Sequence, residues 1–406
     1  MTVRVNKDSF NLREKLSELE RPIELKGSEL MKSETAQDAR DLVSAGRKNI
    51  IINGDMSISQ RGTSFANPAS TANGVYTLDR FSFQTSNTNY TVAQDTTGPD
   101  GFSRSLKVTM GTATTLDYMR LAATIEGYNF RGVKFGTPSA EHLTLSFWVK
   151  SSLTGTFAVG FRNGDNLTAN IQTSLVTTYE IHNANTWEYK TVSIPPNTNG
   201  SVSWNTGIVM GMVIMWDLGD GTSRCPSITS SINSVWQTSD NYYPIGFDET
   251  VKLASTSSAT WQITGVQLEV GKNATDFEHR SIGEELALCQ RYFQRIGGEG
   301  SGGSADYNNY IASGFTDSNG SNFYGGANLK VSMRTSPTIT FDGTISTLGY
   351  THPGLGWAAN SLAAYWSCPQ SYVVRISSAT AGGSTGYGAY ARVQNNNSQL
   401  NFSAEL

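Results

Sequence analysis

Asn49-Ile50-Ile51-Ile52-Asn53-Gly54-Asp55-Met56-Ser57-Ile58-Ser59-Gln60-Arg61-Gly62-Thr63 opens the part of the chain whose reading decides the fold, and residues 261–280 close it. In the opening stretch an apolar run meets a turn pair, Asn53-Gly54, and alternation then continues through Met56 and Ile58 until Gly62 stops it, the pattern of an apolar strand, a turn and a second strand. In the closing stretch Trp261 and Ile263 alternate, the phase slips at Thr264-Gly265, and Val266, Leu268 and Val270 resume on the new phase. A glycine at a slip of phase predicts a β-bulge. Between the two, β signals recur about every ten residues: Leu106, Val108, Met110; Leu143, Leu145, Phe147, Val149; Phe157, Val159, Phe161; Trp187, Tyr189; Val192, Ile194. One apolar and one polar face per strand predicts an all-β chain built on an antiparallel, jelly-roll-like β-sandwich whose first and last strands meet. Residues 208–216 are apolar throughout apart from one Gly and predict a strand buried on both faces. There is no short repeat of the kind a β-helix needs.

Composition agrees with that class and removes several functions. Of 406 residues, 38% are hydrophobic, enough for the cores of two or three domains. Forty glycines and only 16% charged residues suit strands joined by turns. A net charge of −4 argues against nucleic acid, whose capture needs a basic face. Cys225, Cys289 and Cys368 are too few and too scattered for a disulfide framework or a metal knuckle. The N-terminus is charged, and the longest apolar run has about half the roughly 20 residues of a membrane span. Neither a secretion signal nor membrane insertion is expected; the chain is expected to be made in a reducing cytoplasm and, if it ends up outside a cell, to leave by lysis as part of a particle.

The chain divides by composition into residues 1–48, 49–280, 281–304 and 305–406. About 19 of the first 48 residues are charged, against roughly one in eight afterwards. Within them Asn11 and Glu14 resemble a capping box, Leu12, Leu16 and Leu19 form one helical face, and Pro22 ends the run. A second short helix is predicted from Ser33 to a C-cap at Gly46. The leucine face needs a partner surface; it docks on other proteins, bundles with its own copies, or caps the following sandwich. Residues 281–294 predict a helix capped by Ser281 and Glu284, with Leu286, Cys289, Tyr292 and Phe293 on its buried side. The run Gly-Gly-Glu-Gly-Ser-Gly-Gly-Ser, residues 297–304, follows as a linker or a long hairpin loop. The last 102 residues hold about eight charges, with strands predicted at 329–333, 337–341, 372–376 and 387–393. So small a β domain calls for partner copies to cover its strand edges.

Three groups of residues carry a resemblance. The opening stretch with Tyr76-Thr77-Leu78-Asp79-Arg80-Phe81, paired with the later run from Ile263 to Arg295, resembles a module of tail fibres and other appendage proteins of tailed bacteriophages. More loosely, the Asn-Gly-Asp start and Val-Gln-Leu-Glu end resemble jelly-roll carbohydrate-binding modules. Residues 4–19 and 31–46 look like N-terminal segments of such phage proteins, marine ones included, and residues 329–338 with the terminal Phe402-Ser403-Ala404-Glu405-Leu406 look like the distal end of tail fibres. The resemblance implies a homotrimeric virion protein that docks on other virion proteins through its N-terminal segment and attaches to host surface polysaccharide or lipopolysaccharide.

Catalytic signals are sparse, and no enzyme activity or cofactor is expected. His142, His182, His279 and His352 lack the spaced partners of a metal site, and no nucleophile elbow, phosphate loop or zinc-protease motif occurs. Asp217, Asp220, Asp248 and Glu249 are the carboxylates close enough in sequence to pair for glycoside hydrolysis. The Asp217 to Asp220 string either wraps a calcium ion or forms a plain turn. Aromatic residues are the stronger signal, because sugar rings stack on Trp and Tyr. The C-terminal region concentrates Tyr350, Trp357, Tyr365, Trp366, Tyr372, Tyr387 and Tyr390. Of these Trp357, Tyr365, Trp366, Tyr387 and Tyr390 are the candidate glycan-binding residues, with Trp357 and the Tyr365-Trp366 pair expected in loops. The other reading is that the rings fill a core or a trimer axis. The expected function is a structural tail fibre or similar appendage that binds glycan; a decoration protein without glycan binding and a polysaccharide-degrading tail enzyme are the alternatives.

Overall fold

The computed structural model describes residues 47–68, 74–86, 89–113, 118–164, 172–219, 234–239, 250–297, 310–318, 320–352, 355–378, 388–393 and 398–406. Both predicted N-terminal helices, Leu12, Leu16 and Leu19 among them, lie outside the described residues, as do most of the glycine-rich run and Tyr387. In chain order the strands up to the closing stretch are β1 (Ser64–Ala66), β2 (Val75–Tyr76), β3 (Phe81–Thr85), β4 (Tyr90–Asp95), β5 (Ser105–Met110), β6 (Met119–Glu126), β7 (Leu143–Ser151), β8 (Gly155–Asn163), β9 (Gln172–Ile181), β10 (Glu188–Ile194), β11 (Met210–Asp217), β12 (Gln237–Ser239) and β13 (Thr260–Val270). The only α-helices among the described residues are short, α1 (Gly127–Phe130) and α2 (Ile282–Gln290). Beyond α2 come β14 (Phe293–Ile296), β15 (Tyr310–Thr316), β16 (Asn322–Asn328), β17 (Thr338–Asp342), β18 (Leu348–His352), β19 (Leu355–Ala358), β20 (Ser361–Ser367), β21 (Ser371–Ser377), β22 (Gly388–Val393) and β23 (Gln399–Ser403).

The first thirteen strands form the expected antiparallel sandwich, one sheet in the order β1-β4-β5-β13-β7-β10 and the other β12-β9-β8-β11-β6-β3-β2. Leu143, Leu145, Phe147 and Val149 of β7 meet Phe157, Val159 and Phe161 of β8, Trp216 and Trp261 in one core. Burying each such side chain stabilises by about 1.5–3 kcal/mol, which is why the alternating residues dictate the layer. The closing stretch sits mid-sheet, between β5 and β7, and its register slips between Thr264 and Gln267 as the phase predicted. Gly265 takes φ +62° there, and a Cβ on it would lie 2.8 Å from the Phe102 ring.

The opening stretch does run beside β13, but it is not a strand. Ile50 N donates to Leu268 O at 2.8 Å and Val266 N to Gly54 O at 2.9 Å; Asn53, between them, and Met56, just beyond, take positive φ. Side-chain amides do the work of a ladder: Asn49 Oδ1 accepts from Ile51 N and Leu268 N, and Asn53 Oδ1 from Ile58 N. Its apolar alternation serves two cores, Ile51 and Met56 facing the sandwich while Ile52 and Ile58 join Cys289 and Tyr292. Three other expectations shift. The apolar run gives β11 from Met210, with Ile208 and Val209 each 43% exposed. Leu329 and Met333 are buried without forming a strand, their amides bonding Gln370 O and Pro369 O. The helix keeps its Ser281 cap, Oγ accepting from Glu284 N, but stops at Gln290 because Phe293 starts β14 and pairs with Ser403.

After α2 the chain builds a second, smaller sandwich, a sheet β14-β23-β17 packed on a sheet β19-β18-β22-β15-β16-β21-β20. Tyr372 and Phe402 meet across its core with ring centroids 4.5 Å apart. The residues that carry the phage resemblance converge where the two sandwiches join. Glu126 accepts from Arg291 Nη2 at 2.6 Å and from Tyr292 Oη at 2.5 Å. Glu405 is gripped by Arg80 and, at 2.9 Å, by Arg61. Each guanidinium also lies 3.6 Å from an aromatic ring, Arg61 over Phe293 and Arg80 over Tyr292. Gln60 reaches Phe293 O, and Arg334 reaches Glu405 O at 2.8 Å. Burial opposes the charge of Arg80, yet Glu405 holds its pKa above the ordinary value; burial pushes the Asp79 carboxyl up, with Arg61 partly offsetting it.

Candidate functional site

The outer face of the C-terminal seven-stranded sheet carries a groove of about 950 Å³ lined by Phe315, Tyr324, Tyr365, Trp366, Val373, Ser313 and three glycines. Strand alternation puts these side chains there. On β16, Phe323 faces the core, so Tyr324 and Gly326 face out; on β21, Tyr372 and Val374 face in, so Val373 and Arg375 face out. Register then aligns one row across five strands, Tyr390, Ser313, Gly326, Val373 and Trp366, about 19 Å long at the usual strand spacing. The next row runs Phe315, Tyr324, Arg375 and Ala363.

Two local features make this face a groove. Gly314, Gly325 and Gly326 let the strands come close, since a Cβ at Gly314 would lie 1.9 Å from Tyr324 O and one at Gly326 2.1 Å from Tyr372 O. Gly326, on the outward phase and without a side chain, leaves a floor between the aromatic walls, and the backbone of Gly314 and Gly325 lines it. On the edge strand β20 the register slips between Ala364 and Trp366, and this bulge turns two consecutive rings toward solvent. Phe315, Tyr365 and Trp366 are 57%, 66% and 53% exposed. Phe315 stacks on Tyr324 at 6.0 Å, and Tyr324 meets Tyr365 edge-on at 5.3 Å. Single exposed rings are ordinary; a contiguous set around a concavity marks a contact site.

The structure brings Tyr365 and Trp366 together in this groove and sets Tyr390 at the far end of the same row. Trp357 lies in β19, at the opposite edge of the sheet. Trp357, Tyr365 and Trp366 were expected in loops and lie in strands instead, since each segment pairs along a sheet edge. Tyr350 and Tyr372 are core residues, fully buried, with hydroxyls donating to Gly320 O and Ile311 O; burial pushes the Tyr350 pKa up to about 12. Sequence reading missed Phe315 and Tyr324. Tyr324 carried a signal, standing beside in-strand glycines and out of phase with the core residue Phe323, whereas Phe315 stands in phase with the buried Ile311 and faces out only because the register shifts between Tyr310 and Ala312.

The other candidates are occupied otherwise. Asp217 is fully buried at the end of β11, accepting from Gly219 N at 2.8 Å and Thr250 Oγ1 at 3.0 Å, with Lys252 Nζ at 3.4 Å. Asp217 thus caps the turn that follows β11; Asp220, Asp248 and Glu249 lie outside the described residues. No group of three or more metal-ligating side chains occurs among the described residues. His142 precedes β7, its pKa lowered by burial and by Lys272. His182 lies beside Glu188, and His279 packs against Phe102 and Phe277. No helix among the described residues is long and apolar enough to cross a membrane.

No protein-family model matches this sequence, and no curated protein does. Among solved structures, the chain is similar to carbohydrate-binding modules and to part of a phage tailspike. A module named CBM4 matches 54% of this chain and 99% of its own, at 12% identity and a TM-score of 0.28. The CBM22-1 xylan-binding domain of Paenibacillus barcinonensis Xyn10C matches 52% and 94%, at 10% identity and a TM-score of 0.23. The enzymatically active domain of tailspike protein 4 of bacteriophage CBA120 matches 48% of this chain, which spans only 20% of that one, at 14% identity and a TM-score of 0.27.

Proposed function

We propose that this protein is a non-catalytic appendage protein of a tailed phage particle that attaches to host surface glycan through the aromatic groove of its C-terminal sheet. The observation that carries the binding reading is the exposed ring set Phe315, Tyr324, Tyr365 and Trp366 around a glycine floor. Flat C–H faces of sugar rings stack on such walls, and each half-exposed ring that a ligand covers recovers part of the roughly 1.5–3 kcal/mol of a full burial. The lining consists of rings, glycines, Val373 and the hydroxyl of Ser313, which suits holding a sugar more than cleaving one, since hydrolysis calls for two carboxylates. Several copies on one particle make weak single sites effective.

The particle reading rests on the resemblance of the opening and closing motifs to phage appendage modules. A second copy of the chain is the rival occupant of the groove face, as in a trimer axis. Arg375 and Arg392 on that face weigh against it, because symmetric packing would bury like charges together. The test is retention of the purified full chain on immobilised bacterial surface polysaccharides, with the soluble glycan sized afterwards and the native mass measured in parallel. Retention that free glycan competes away, an unshortened glycan and a mass of about three times 43.9 kDa are expected. Failure to be retained on any polysaccharide would overturn the binding reading; a shortened glycan would make the protein an enzyme.

A further inference from the structure

Resting on that binding reading, we infer that the groove takes an acidic glycan, one whose rings bear carboxylates. Only eight charges fall in residues 305–406, and the structure disposes of them unevenly. Each carboxylate described there is already engaged. Asp317 accepts from Asn322 Nδ2 at 2.6 Å at the β15–β16 turn, Asp342 pairs with Arg295 at 2.7 Å, and Glu405 is held in the junction by Arg61 and Arg80. Among the cations, Lys330 lies beyond the end of β16, its amide bonded to Gln294 Oε1, and Arg334 is spent on the carbonyls of Ala404, Glu405 and Ile208. Arg375 and Arg392 remain, and among the described residues neither has a hydrogen-bond or ion-pair partner.

Both stand on the groove face. Arg375 is exposed, is the cross-strand neighbour of Tyr324, and lies two residues from the lining residue Val373. Arg392 lies two residues from Tyr390, on the other side of the row that ends at Trp366. Among the described residues, the strands of this face thus present rings and two guanidinium groups without a partner, and the nearest carboxylate, Asp317 past the end of β15, is already bonded by Asn322, on a chain whose net charge is −4. A guanidinium donates two parallel N–H bonds to a planar carboxylate, and it does so best beside a ring that excludes water. A neutral sugar would stack on Trp366 and Tyr365 and leave both forks in water; a uronic acid would use them.

The experiment is calorimetric titration of the full chain with matched oligosaccharide pairs, each an acidic oligosaccharide and its methyl ester or carboxyl-reduced form, at low and high salt. Acidic members are expected to bind at least ten-fold more tightly, with a preference that shrinks at high salt. Arg375→Gln, with melting temperature unchanged, is expected to erase most of that preference while neutral binding persists. Equal binding of acidic and neutral partners would overturn the inference and leave glycan binding standing. A preference that survives in Arg375→Gln and in Arg392→Gln would overturn the assignment to these residues. Binding of no member of any pair would defeat both this inference and the binding reading beneath it.

Discussion

The junction between the sandwiches and the outer face of the C-terminal sheet are opposites. At the junction, charged groups are buried and paired: Arg80, Glu405, Arg61, Asp79, Glu126 and Arg291 grip one another and Tyr292 across segments far apart in sequence. On the outer face, rings are exposed, and two arginines have no partner among the described residues. The residues most recognisable as a motif belong to the first region, and those suited to meeting a ligand belong to the second. The comparison teaches that a motif can record how a module is joined to its neighbour, so that it marks the class of protein while saying little of what the protein binds.

The largest effect should come from breaking the junction. Arg80→Ala leaves Glu405 buried without its closest partner and is expected to destabilise by about 3–5 kcal/mol, read as a lower urea midpoint at unchanged slope. A loss under about 1 kcal/mol would mean that the ion pairs are ornamental and the comparison is wrong. Trp366→Ala is the converse case. It should weaken glycan binding by about 2 kcal/mol, roughly thirty-fold in Kd, with little change in melting temperature because the ring is 53% exposed. Ser281→Ala removes the cap of α2, which feeds the junction; with its Oγ–Glu284 N contact at 3.3 Å and exposed, a cost of about 0.5–1 kcal/mol in stability and none in binding is expected.

The smallest effect is a pH dependence remote from both regions. Burial opposes ionisation of Glu188, but Lys190 Nζ at 2.6 Å, the Asn183 amide and His182 outweigh it and hold the carboxyl down to about 2. Its folded pKa lies below its unfolded one, so its contribution is present above about pH 4.5 and is lost as pH falls toward 2. The melting-temperature gap between wild type and Glu188→Gln should therefore close between pH 5 and pH 2. A gap that widened on acidification would reverse the sign.

Much of the fold was legible because its signals are local. Alternation placed β5, β7, β8, β10 and β13; the glycine at the phase slip marked the bulge; Ser281 and Glu284 marked the start of α2. The opening stretch misled because Asn49 and Asn53 supply bonds that a ladder would otherwise supply, while its apolar residues alternate between two different cores. The junction was illegible for a different reason: Arg61 and Glu405 are 344 residues apart, and no local pattern links them. Trp366 and Tyr365 could be read as ring signals, but the bulge that exposes both, and the register that sets Phe315 and Tyr324 beside them, exist only once β15, β16, β21 and β20 pair.

The most direct measurement is binding of the full chain and of Trp366→Ala to a printed array of bacterial surface glycans, with melting temperatures recorded on the same preparations. Signal on particular glycans for the wild type, lost in the variant while both melt together, is the predicted result. Equal signal from both proteins would contradict the assignment of binding to the groove and move the site elsewhere in the chain.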